Sequence, residues 1–298
     1  GRRAGTRHPR PRRPARRRRL STSTDPAQPA AAAPTEHVLV VGEALVDVVH
    51  RADGSVAEHP GGSLANVALT LGRLGRDARL ATWLGQDARG EAVRAWLDDS
   101  AVTLTPGSTD APTTSVATAH LDAHGAATYE FDLEWRVPAG TAPDAGTLAV
   151  HTGSIAAVLE PGASDVRALV AAARDTATIT YDPNARPALM GDPADARTRI
   201  EALVALADVV KVSDEDVAWL VPGKDPVAVA REWLTLGPAL VVVTFGGEGA
   251  VAVTATGEQR VTAPRVEVVD TVGAGDSFMG CLLYPGDAAD DGESVEGG

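Results

Sequence analysis

Short, almost uniformly apolar runs alternating with segments of helical spacing constrain the fold of this chain more than any other feature. HVLVV (37–41), LAVHTG (148–153), ATITYDPN (177–184), DVVKVS (208–213) and ALVVVTFGG (239–247) are such runs. A strand covered by helices on both faces of a parallel sheet has this character, because neither face meets water. Residues 163–174, 195–206, 214–220 and 226–236 carry helical patterns between and after them. A helix is also expected from Ser63 to Arg73, with Leu64, Val67, Ala68 and Leu71 on one face and Gly75 just beyond its end. A strand at 78–85 and a helix at 90–99 follow. Alternation of this kind predicts an α/β domain with a mostly parallel sheet and helices on both sides.

Two segments break the alternation. VVHRADGSVAEH turns at Asp53–Gly54, and TTSVATAHLDAHGAATYEFDLE turns near Asp122–Gly125. Both read as hairpins. Together, at about residues 48–60 and 113–135, they predict a small β flap over the edge of the main sheet. No internal repeat is visible.

Charge separates the ends from the body. Residues 1–36 hold ten Arg and two acids, Asp25 and Glu36; the remainder carries 17 Lys and Arg against 38 Asp and Glu. So acidic a body repels nucleic acid. The Arg/Pro/Ala-rich 1–36 lacks apolar periodicity and reads as a disordered extension. It contains an Arg pair but no apolar h-region, which argues against an export signal. DAADDGESVEGG, after Pro285-Gly286, reads as a disordered acidic tail over 285–298. The single cysteine, Cys281, excludes a disulfide framework and a Cys-rich metal site and fits a reducing, cytoplasmic setting. No apolar run is long enough to predict a membrane span.

DTVGAGDSFMG (270–280) carries the chemistry. VTAPRVEVV before it reads as a strand and SFMGCLLY after it as an apolar helix. A helix N-terminus has unpaired N–H groups and the positive end of the dipole. Glycines before it let successive amides converge on an anion, most often phosphate. Asp276 is out of place in an anion hole unless it faces an attacking hydroxyl, whose proton it could take. Taken alone, the segment fits equally well an Asp that merely caps its helix.

The segment has company. DTVGAGDSF resembles the C-terminal signature of the ribokinase/PfkB sugar kinases, and PGGSLANVALTLGRLG (60–75) resembles their N-terminal one. GEALVD (42–47), GQDARG (85–90), TYDPN (180–184), VKVSDED (210–216) and TFGGEG (244–249) are similar to further family segments, in the family's order. The resemblance spans about residues 37–284. No GxxxxGK[ST] is present, so a P-loop kinase is excluded. The resemblance implies a three-layer ribokinase-like fold with a β lid and ATP-dependent phosphorylation of a sugar hydroxyl. GEALVD and the DPNxRP form are most similar to fructokinase-like or 2-keto-3-deoxygluconate-kinase-like members. A nucleoside kinase on the same fold, or an impaired sugar- or nucleotide-binding protein, is the alternative.

The resemblance assigns roles residue by residue. Asp276 is the catalytic base, and Gly273, Ala274 and Gly275 form the anion hole. Asp47, placed at the end of the first strand, and Asn66 bind sugar hydroxyls, with Gly61 and Gly62 admitting the sugar. Arg186 would meet a substrate carboxylate or phosphate, or else form a surface salt bridge. Ser213, Thr244, Gly246 and Gly249 belong to the nucleotide site. Asp216 stands where relatives carry Glu; it would act through water on Mg²⁺ or simply complete an acidic first turn. Asp270 and Val272 match a monovalent-cation site, for K⁺. Tyr129, Phe131 and Trp135 fall in the lid, which excludes water from the reaction and in relatives pairs subunits into a homodimer. Relatives continue for some tens of residues past the GAGD helix. The departure here predicts a less stable, poorly phosphorylating chain.

Overall fold

The computed structural model describes residues 35–122, 127–267 and 271–284. All but the last two residues of the expected N-terminal extension, the acidic tail and Asp270 therefore lie outside the described residues.

Each apolar run becomes a strand. In chain order the strands are β1 (His37–Val41), β2 (Leu45–His50), β3 (Val56–Gly61), β4 (Ala78–Ala81), β5 (Val102–Leu104), β6 (Val116–Leu121), β7 (Ala127–Asp132), β8 (Thr147–Gly153), β9 (Thr178–Asp182), β10 (Val209–Ser213), β11 (Leu240–Thr244), β12 (Ala250–Thr254) and β13 (Gly257–Val261). Nine form one sheet in the order β13-β12-β11-β10-β9-β8-β1-β4-β5. From β11 to β5 every pairing is parallel, while β12 and β13 add an antiparallel edge. Val40, Val41, Val150, Val210, Val212, Val241 and Val243 are buried in it. That is the double-sided burial the apolar runs predict.

The helices are α1 (Ser63–Arg73), α2 (Ala88–Asp98), α3 (Gly162–Ala173), α4 (Pro187–Met190), α5 (Pro193–Val204), α6 (Asp214–Leu220), α7 (Pro226–Leu234) and α8 (Ala274–Leu283). α1 has the predicted boundaries, and its buried face includes Leu64, Val67, Ala68 and Leu71. α1 packs against α8 so closely that a Cβ on Gly280 would lie 2.6 Å from Thr70 Cβ. This contact joins the two signature segments across more than 200 residues of chain.

The two hairpins build a separate four-stranded sheet, β3-β2-β6-β7. β2 and β6 pair in parallel and join the hairpins side by side. Val46 and Val48 are buried beneath it, whereas Val56 and Tyr129 are exposed.

Three expectations change. Of the strand expected over 261–269, Val261 ends β13, residues 262–267 form no strand, and 268–269 lie outside the described residues. A β-rich pattern becomes a strand only beside a partner, and no described strand pairs with 262–267. Asp47 is not at the end of the first strand, which stops at Val41; it lies on β2, in the lid sheet. Trp135 is not part of the lid sheet. It is 2% exposed in the main core, its indole Nε1 donates to Ala156 O at 3.1 Å, and a Cβ on Gly162 would strike its ring.

Candidate active site

In a parallel sheet, loops at the carboxyl ends of the strands form the natural crevice. Asp182 ends β9, Ser213 ends β10 and Thr244 ends β11, with Ser213 and Thr244 paired across the strands. α8 adds its N-terminal turn to this group. Its cap, Gly273, has φ 70°, a left-handed conformation that glycine adopts without Cβ strain.

Asp276 lies in the first turn of α8, 5% exposed. Three neutral side chains hold its carboxylate. Ser63 Oγ donates to Oδ1 at 2.7 Å, Asn66 Nδ2 to Oδ2 at 2.8 Å, and Asn184 Nδ2 to Oδ1 at 3.0 Å. Asn184 also donates to Ser63 Oγ at 2.8 Å. Its amide is oriented by Arg186, whose Nη1 donates to Asn184 Oδ1 at 2.7 Å and to the carbonyls of Asn184 and Ala185. Asn184 itself has φ 35°, a left-handed conformation that Asn tolerates better than most residues.

The first-turn amides are divided in use. Ala274 N–H returns to Thr271 O at 3.1 Å, and Ser277 N–H donates to Gly273 O. Among the described residues, the amides of Gly275 and Asp276 have no protein acceptor, which leaves them for an anion. Gly275 has a further reason to be glycine. A Cβ there would lie 2.9 Å from Lys211 Nζ.

Asp47 lies against Gly61, where a Cβ would sit 2.2 Å from its Oδ2. Burial raises the Asp47 carboxyl above the usual range, while the charges of Arg186 and His59 oppose the rise. Gly62, with φ 108°, leads directly into Ser63. The structure thus connects Asp47, Gly61, Gly62, Ser63, Asn66, Arg186 and Asp276 in one neighbourhood. Glu43, in the same GEALVD segment, is buried, and its carboxyl accepts from Ala156 N at 3.1 Å. Burial pushes it up to about 7.

After β11, Gly246 (φ 49°) opens a single 3₁₀ turn over Gly246–Glu248, and a Cβ on Gly246 or Gly247 would meet open space. Gly249 (φ 111°) backs onto Val261 O, where any side chain would collide. Asp216 has a local structural task. It completes a capping box with Ser213 on α6, and its Oδ1 accepts from Ala185 N at 2.8 Å. Val272 is 83% exposed, while its expected partner Asp270 lies outside the described residues. Among the described residues, no three of His, Cys, Asp and Glu are grouped to hold a metal ion, and no helix is long and apolar enough to cross a membrane.

Four residues at the site were not singled out from the sequence: Ser63, Asn184, Asp182 and Lys211. Ser63 and Asn184 belong to recognised segments, but only their contact with Asp276 reveals their task. A lysine within a run of buried valines is itself a signal, since Lys is almost never buried unpaired. Lys211 is 2% exposed, and its ammonium meets Asp182 Oδ2 at 2.9 Å.

Comparison with known proteins agrees with this geometry. The family model described as "pfkB family carbohydrate kinase" matches residues 35–296, past the point where the sequence pattern ends the domain. The chain is 36% identical over 256 residues to a fructokinase of Rhizobium leguminosarum bv. trifolii, covering 83% of this chain and 78% of that protein. A fructokinase of Xylella fastidiosa with bound ATP superposes with a TM-score of 0.71 at 26% identity, covering 83% of this chain and 80% of that one. The Vibrio cholerae O395 fructokinase bound to fructose, ADP and calcium ion gives 0.68 at 28% identity, covering 84% and 83%. The match over residues 35–296 and the relatives of 30% identity or more settle the family: the chain belongs to the pfkB family of carbohydrate kinases.

Proposed function

We propose that this chain is a fructokinase that moves the γ-phosphoryl group of ATP to a primary hydroxyl of fructose. The observation that carries the reading is the environment of Asp276. Its buried carboxylate has only neutral donors as direct partners, so it is aimed without being tied to a cation. Asp276 takes the hydroxyl proton. The hydroxyl oxygen forms a bond to the γ-phosphorus while the bond to the β–γ bridging oxygen breaks, and ADP leaves with that electron pair. The amides of Gly275 and Asp276, with the cap Gly273 shaping the turn, face the oxygens of the transferring group. Asn66, Ser63 and Asn184 orient the base. Asp47, beside Gly61 and Gly62, accepts from sugar hydroxyls, and the open backbone at Gly246, with Thr244 and Ser213, meets the nucleotide.

Arg186 supports a neutral sugar over a 2-keto acid. Its Nη1 is committed to Asn184 and Ala185 carbonyls. Mg²⁺, held chiefly by the phosphates of ATP, would offset their charge, with Asp216 the residue that could reach it through water. The same reading has two copies pairing through the lid, with Val56 and Tyr129 exposed on it.

The test is ADP release from ATP with fructose, ribose, 2-keto-3-deoxygluconate and adenosine. Fructose should give the highest kcat/KM. A clear preference for adenosine would overturn the assignment.

A further inference from the structure

Lys211 has no part in the chemistry described so far, yet it occupies the floor of the site. β10 and β9 run side by side, with Val210 beside Tyr181, so the next residues, Lys211 and Asp182, are neighbours. Both are buried and joined at 2.9 Å. Asp182 uses its other oxygen, Oδ1, to accept from Asn184 N at 3.2 Å. Lys211 is thus connected through Asp182 to the loop whose side chain holds Ser63 and Asp276. On its far side the ammonium lies against Gly275 of the anion hole.

Stability alone is a poor reason for such a pair. Apolar residues of similar volume commonly replace a buried ion pair at no loss. Three carboxylates surround the single ammonium, namely Asp182 on β9, Asp216 on α6 and Asp276 on α8. Burial alone would discharge Lys211, but these acids hold it protonated. The other partners of Asp276, Ser63 and Asn66 on α1 and Asn184 after β9, are neutral.

We propose that Lys211, seated by Asp182, is a positioning residue for phosphoryl transfer: its ammonium backs the N-terminal turn of α8 at Gly275 and, through Asp182, fixes the Asn184 loop. The fixed positive charge adds to the helix dipole behind the amides that meet the transferring group. This inference rests on the kinase reading above.

The test compares wild type with Lys211→Met/Asp182→Asn. The double variant leaves no unpaired buried carboxylate and retains an acceptor for Asn184 N. Urea unfolding checks the fold, and ADP release gives kcat and the fructose KM. The expected result is a cooperative fold, kcat lower by about 100-fold or more, and little change in fructose KM. Affinity for ADP–beryllium fluoride should fall about tenfold with ADP affinity unchanged. A stable double variant with wild-type kcat and ADP–beryllium fluoride affinity overturns the inference.

If the double variant does not fold, Lys211→Gln decides, since its amide can still donate to Asp182 but carries no charge. Loss of kcat at unchanged KM and stability supports the role, and wild-type kcat overturns it. If wild type turns over no sugar, the kinase reading fails separately. The ADP–beryllium fluoride comparison alone then decides Lys211.

Discussion

Replacing Asp276 by Asn keeps the shape of the side chain and removes its ability to take a proton. The structure sets the accompanying cost. All three partners donate to the carboxylate: Ser63 and Asn184 to Oδ1, Asn66 to Oδ2. The new amide must put an NH₂ toward one of them. The arrangement of least conflict puts it toward Asn66, whose own amide can turn to present its oxygen. Each surviving bond then changes from charge-assisted to neutral, a loss of about 1 kcal/mol apiece. Burying a neutral amide in place of a charged carboxylate offsets much of that loss. Net stability should therefore move by no more than about 2 kcal/mol. Loss of a general base costs about 10²–10⁴ in rate, or about 3–5 kcal/mol of barrier. Urea unfolding and ADP release with fructose, run on the same preparation, separate the two effects. The variant should unfold cooperatively, bind fructose nearly as well as wild type, and lose kcat by that factor. Turnover within tenfold of wild type refutes the base role, and a variant that no longer folds would show Asp276 to be chiefly a structural cap.

Further outcomes follow from the neighbours of Asp276. Asn184→Ala removes donors to both Ser63 and Asp276 and places Ala at φ 35°; stability should fall by about 1–2 kcal/mol and kcat should fall more than fructose KM rises, whereas unchanged kinetics would exclude a role in orienting the base. Glu43 binds its proton more tightly in the folded chain, with its carboxyl raised from 4.5 to about 7. Its contribution is fully present below the unfolded value and is lost as pH rises through about 7, by about 3 kcal/mol in all. Glu43→Gln should accordingly match wild type near pH 4.5 and exceed it in urea resistance near pH 8; identical pH dependence in the two proteins counts against this account. The buried Asp182, raised to about 6, adds a background slope common to both.

Much of this architecture is local in origin. Ser63–Arg73 is a helix because its apolar residues repeat on one face, and the valine runs are strands because only a doubly covered sheet buries them on both sides. The two hairpins form where their turns are. The Gly-rich turn and its acid at 273–276 were legible because both belong to one short segment. Where a partner was required, the pattern failed. Residues 262–267 have a strand's composition, yet no described strand pairs with them. Asp47 is expected at the end of the first strand, but the chain leaves the main sheet after Val41 and Asp47 joins the lid.

The sequence by itself determined the layered α/β fold, the lid hairpins and the identity of Asp276, because periodicity and turn chemistry act over a few residues. Tertiary structure alone decided that Ser63, Asn66 and Asn184 converge on that carboxylate and that Lys211 lies beneath Gly275. Those contacts join residues about 60 to 210 positions apart along the chain, and only the packing of α1, β9 and β10 around α8 fixes which side chains meet.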